Sequence, residues 1–149
     1  MTAAETATLN ATARVRQMID LTERLTARLA EEAAAFETRR PQDVAATVGQ
    51  TQDLANAYRR ESARIKAAPS ELAPAPAEER KRLIAATQAF EAVLSRHALA
   101  VEAARIVSEG LVKTIAAEVA SQRGSPSAYG ASGRASAADG RAVAYNAQA

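Results

Sequence analysis

Few side chains in this sequence sit where they could do chemistry together. His97 is the only histidine, and an imidazole that titrates near neutral pH moves protons or holds a metal only if other groups converge on it. It falls on the apolar seam of a long helical pattern, so it is expected to be packed or paired there. Glu31 with Glu32 and Glu78 with Glu79 are the carboxylate pairs that could bind a cation or divide acid and base roles. Adjacent residues on a helix point to different sides, so neither pair can converge. No glycine-rich loop follows a strand and no nucleophile motif is present. The chain has no cysteine, which excludes disulfides and thiolate ligation and suits a reducing compartment. These residue types point away from an enzyme and imply no metal and no cofactor.

The chemistry that remains is recognition. Ser125 to Ala149, "SPSAYGASGRASAADGRAVAYNAQA", carries two of the three tyrosines, Tyr129 and Tyr145. Four of the six glycines fall between Gly124 and Gly140, among serine and alanine. Such a segment has too little apolar surface to offset its ordering entropy and is expected to be a flexible tail over 122–149. An aromatic ring in a small, polar, flexible segment can anchor a short linear motif, and Gly133 allows the turn that would present Tyr129.

Positioning these groups falls to helices. The 149 residues suit one domain with a tail. Alanine, arginine, glutamate and leucine dominate and favour long helices, while five aromatic residues leave little for a broad core. Nineteen Lys and Arg stand interspersed with seventeen Asp and Glu for a net charge of +2. That pattern is a solvated surface and not the clustered basic face of a nucleic-acid binder. The start, "MTAAETATLNATARVRQ", has no apolar run, and no segment nears the ~18 apolar residues of a membrane span, so no stable membrane insertion and a cytoplasmic location are expected.

Three helices are predicted, over about 8–39, 42–67 and 77–121. In the first, Val15, Met18, Thr22, Leu25, Leu29, Glu32 and Phe36 follow steps of three and four. Pro41 stops it, and the steps resume at Val44, Val48, Thr51, Ala55, Tyr58, Ser62 and Ile65. So short a break folds the two helices into an antiparallel hairpin. Prolines 69, 74 and 76 make a connector. From Pro76 the pattern runs through Leu83, Thr87, Phe90, Leu94, His97, Val101, Ala104, Ser108, Leu111, Ile115 and Glu118, a coiled-coil signal. Thr22, Thr51, Thr87 and Ser108 on the seams are read as small residues whose hydroxyls bond the preceding turn. Gly49 and Gly110 should each weaken a helix interior by about 1 kcal/mol relative to alanine.

The fold class is thus all-α: a helical hairpin plus a long third helix in a coiled-coil-like three-helix bundle. At about 1.5 Å per residue the third helix outruns the second by roughly 25–30 Å. The part without a neighbour, about Ala104 to Ser121, still carries Val107, Leu111, Val112, Ile115 and Val119. These five are the candidate binding residues.

Hairpin, long third helix and tyrosine-bearing tail together resemble the FlgN-type flagellar export chaperones. In the hairpin the resemblance rests on "EEAAAFETRRPQDVAATVGQTQDLANAY": glutamate, small residues, a large apolar residue, a short break with an aspartate, then a second apolar-patterned helix. In the tail it rests on Tyr129 with Gly133 and Arg134 in "YGASGRAS". It spans most of the chain, and the tail motif is its discriminating part. The resemblance implies a cytoplasmic, non-enzymatic chaperone of bacterial flagellum assembly and type III protein export. Its clients would be hook-filament junction proteins, bound through the last helix at Val107, Leu111, Val112, Ile115 and Val119. Tyr129, with Gly133, would dock to the export gate, and Tyr145 is a second candidate for that role. The high alanine content and the proline-rich connector depart from the family pattern.

Two other classes share the composition. A surface-coating amphipathic protein, such as a phasin on storage granules or a peripheral-membrane bundle, is also alanine-rich and free of cysteine, but the narrow seam buries little area per turn. A structural coiled-coil adaptor differs only in its partner. The client's identity and the oligomeric state stay open at this stage.

Overall fold

Thr2 sets the start of the chain's first helix. Its hydroxyl accepts the Glu5 amide at 3.2 Å while the Glu5 carboxylate accepts the Thr2 amide at 2.7 Å, a reciprocal capping box. The helix therefore begins at Ala3, five residues before the expected position 8. The threonines that make the leader look like a loop are accommodated: Thr6, Thr8 and Thr12 each donate a hydroxyl to the carbonyl four residues back.

The computed structural model describes the backbone of residues 1–128 and the side chains of residues 1–124. Among the described residues there are three α-helices, α1 (Ala3–Glu37), α2 (Val48–Ala67) and α3 (Ala77–Ala128), and no strand. The all-α reading with a hairpin and a long third helix holds. The chain divides into two compact units, Met1–Ala104 and a second from Arg105 onward.

Within Met1–Ala104, α1 ends at Glu37 and not at 39, because Thr38 and Arg39 form a C-terminal cap. The Arg40 amide donates to Ala35 O at 2.7 Å and the Arg39 amide to Phe36 O at 3.1 Å, with Arg39 at φ 58. This is a Schellman motif whose left-handed position carries arginine where glycine is the usual residue. Pro41–Asp43 and Ala45–Thr47 then form two 3-10 turns, so α2 starts at Val48 and not at 42. No side chain caps either turn, and Val44 is buried between them. The pairing of α2 with α1 is antiparallel, with Arg28 of α1 donating to Gln50 at the start of α2.

The connector is more than a link. Pro69–Glu71 forms a 3-10 turn, Leu72 packs on the core, and Ala75 is 3 % exposed among Ala11, Val15 and Ile19. It sets where α3 begins, at Ala77, with Pro76 O accepting the Arg80 amide at 3.1 Å. In this unit α3 runs parallel to α1, since Arg16 pairs with Glu79 and Glu37 with Arg96.

Two clusters hold the unit together. Ala11, Val15, Ile19 and Ala75 gather Leu72, Leu83 and Ala86, and Leu25, Leu29 and Phe90 gather Leu54, Ala55, Tyr58 and Val93. Tyr58 and Phe90 stack at 4.7 Å between ring centres. Burying each large side chain contributes about 1.5–3 kcal/mol. Between the clusters the fully buried Thr22 donates its hydroxyl to Met18 O at 2.7 Å. Thr51 and Thr87 do likewise to Thr47 O and Leu83 O, as expected for polar residues on an alanine-rich seam.

The third helix continues to Ala128, beyond the expected 121. Gln122 donates to Glu118 one turn back at 3.3 Å. The remainder of the expected tail lies outside the described residues.

Candidate interaction surface

From Arg105 to Gly124 every residue is exposed. On this stretch Val107, Leu111, Ile115 and Val119 recur every four residues, an advance of about 40° per step on an α-helix, so the four span an arc of roughly 120°. Val112 widens it. Leu111 is 59 % and Val112 65 % exposed, against 2 % for Leu25 in the N-terminal unit. All five candidate residues thus share one solvent-facing apolar stripe. Ile106, also exposed, lies about 100° from Val107 and off this arc.

Polar side chains along this stretch bond within the helix. Arg105 donates to Glu109 at 2.6 Å, and the Thr114 hydroxyl reaches Gly110 O at 2.9 Å. Among the described residues, and apart from the helix's own backbone, nothing lies within 4 Å of where a Gly110 side chain would begin.

His97 belongs to the N-terminal unit and is paired. Its Nε2 lies 2.9 Å from Glu32 Oε2, and its ring stands edge-on to Phe36 at 6.3 Å. The carboxylate pairs split as geometry requires: Glu32 turns inward to His97 while Glu31 meets Arg28, and Glu79 turns inward to Arg16 while Glu78 meets Lys81. Among the described residues no three His, Asp or Glu side chains gather as metal ligands.

Two ion pairs that the sequence did not reveal tie α3 to α1. Arg16 hydrogen bonds hold the Glu79 carboxyl below the usual carboxylate range, opposed by burial and aided by the charges of Arg16 and Arg82. Hydrogen bonds from Arg96 do the same for Glu37. Both guanidinium groups are raised in turn, chiefly by the same bonds. Burial, with a smaller push from Glu91, raises the Tyr58 hydroxyl. The grooves of this unit are open to solvent, one lined by Leu21, Arg28, Gln50 and Leu54, another mainly by alanines of α1 and α3.

Tyr129, Gly133 and Tyr145 lie outside the described residues. No described helix is long and apolar enough to cross a membrane.

No family model matches the chain, and no solved structure matches it. Over 128 residues it is 54 % identical to the flagellar basal-body protein FlbY of Caulobacter vibrioides, an alignment covering 85 % of this chain and 86 % of that one.

Proposed function

The chain belongs to the family of the flagellar basal-body protein FlbY, and we propose that it acts in flagellum assembly as a non-enzymatic, cytoplasmic export chaperone. Its client site is the stripe Val107, Leu111, Val112, Ile115 and Val119. Hook-filament junction proteins are the clients, through an amphipathic helix of their own laid along the stripe. Tyr129, with Gly133 four residues on in the sequence, docks to the export gate, and Tyr145 is the alternative docking residue. A stripe and a separate tail anchor let client and gate be engaged together.

The observation that carries this reading is the exposure of five large apolar residues on one face of α3, each at 43 % or more. Contiguous exposed apolar faces on soluble chains mark interaction sites. The resemblance of the hairpin and of "YGASGRAS" to FlgN-type chaperones and the flagellar relative point to the same process.

The test is a pull-down from the native host with wild-type chain, Tyr129→Ala and Tyr145→Ala. Hook-filament junction proteins should be captured by all three. The gate component should be lost with Tyr129→Ala, by about thirtyfold or more in affinity for a single anchoring ring. Loss with Tyr145→Ala alone would move the docking role to that residue, and absence of junction proteins from every sample would refute the client assignment.

The name that FlbY carries favours a second reading, a helical component of the basal body itself. Fractionation separates the two: a component copurifies with isolated basal bodies, whereas a chaperone stays with soluble client.

A further inference from the structure

The stripe on α3 is nearly palindromic about Lys113. Leu111 and Ile115 stand two residues to either side of it, Ser108 and Glu118 five, and Val107 and Val119 six. Lys113 itself, two residues from Ile115, sits on the opposite side of the helix. A face with that symmetry is complementary to itself under a two-fold axis, the commonest symmetry of soluble oligomers.

We propose that a second copy of the chain covers this face, the two helices running antiparallel about an axis at Lys113. Each Leu111 then meets the partner's Ile115, and each Val107 the partner's Val119. Charge decides the direction. A parallel, in-register pair would set Glu118 against Glu118 inside an apolar seam, where like charges are strongly disfavoured. The antiparallel pair sets each Glu118 carboxylate against a Ser108 hydroxyl, which can donate to it, while Gln122 already donates to Glu118 at 3.3 Å from its own helix.

The area is sufficient. At 43–65 % exposure the five apolar side chains offer a patch on the order of 450 Å², within the range of the largest patches on soluble monomers. Two such patches bury about 900 Å², and flanking residues bring the pair near the ~1,200 Å² lower bound of specific interfaces. An interface at that bound is weak enough to exchange, so the dimer protects the stripe until another helix displaces it. The pairing does not rest on the client assignment, because it follows from the sequence symmetry and exposure of this face alone.

The test uses the full chain, which has no cysteine of its own. Molar mass by light scattering should rise from one chain to two with concentration. Leu111→Asp should weaken that association by at least about 100-fold, since a carboxylate is placed in an apolar seam, with helical content by circular dichroism unchanged. Under mild oxidation, Ser108→Cys mixed with Glu118→Cys should cross-link, and neither variant alone should. Residues 108 and 108 of an antiparallel pair lie about 15 Å apart along the axis, beyond the ~7 Å reach of a disulfide. A single-chain mass at every concentration would overturn the proposal and leave the face to a different protein. An association that survives Leu111→Asp, or self-cross-linking of Ser108→Cys alone, would overturn it equally.

Discussion

Arg16 on α1 grips Glu79 on α3 through two nitrogens on one oxygen, Nε at 2.9 Å and Nη2 at 2.7 Å from Oε1. Near the other end of α1, Arg96 binds both oxygens of Glu37, Nε donating to Oε1 at 2.8 Å and Nη2 to Oε2 at 2.7 Å. Planar two-point contacts of this kind fix the lateral position of one helix against another better than a point charge does.

Both carboxyls are held below their ordinary value by these bonds, so each contributes stability that is fully present above the unfolded carboxylate range. That contribution is lost as the pH falls through the depressed folded values. Melting temperature should therefore drop from about pH 5 downward, and Glu79→Gln with Glu37→Gln should flatten that drop while lowering stability at neutral pH. An unchanged slope in the double variant would show that other groups govern acid unfolding.

Arg39 sits at φ 58, a conformation that disfavours residues bearing a Cβ. Arg39→Gly should relieve this and raise stability by about 0.5–1 kcal/mol in denaturant titration, less the greater unfolded-state freedom of glycine. A loss of stability would mean that the arginine side chain makes an interaction outweighing the backbone strain.

Gly110→Ala should tighten the exposed part of α3 by about 1 kcal/mol, because nothing within 4 Å obstructs the added carbon. Amide exchange over 105–124 should slow roughly fivefold. Equal exchange rates would show that local helix propensity does not limit opening there.

Much of this fold was legible in residue spacing. Val15, Leu25, Leu29 and Phe90 are core because steps of three and four on an α-helix place them on one side, and Thr22 is tolerated among them because its hydroxyl closes on its own backbone. The start of α1 is not legible, because threonine reads as a weak helix former while Thr2 and Glu5 cap each other. Its end is not legible either, because the left-handed residue is an arginine, which carries none of the signal a glycine would. Arg16 could not be matched to Glu79, nor Arg96 to Glu37, since those pairings depend on the lateral register of two helices, which the buried Ala75 and the half-buried Leu72 of the connector help to set. The exposure of Val107, Leu111, Val112, Ile115 and Val119 was legible, because the third helical pattern outlasts the second.

The stripe's role is tested most directly by titrating a hook-filament junction protein against the wild-type chain and the Leu111→Asp, Ile115→Asp double variant, with melting temperature measured alongside. Because both residues are more than half exposed, melting of the variant should stay within a few degrees of wild type, while affinity should fall by at least about 100-fold, the cost of setting two carboxylates against an apolar partner. Undiminished binding by a folded variant would contradict the account, and so would a melting temperature lowered as a Leu25→Ala core substitution would lower it, by the equivalent of about 2–5 kcal/mol.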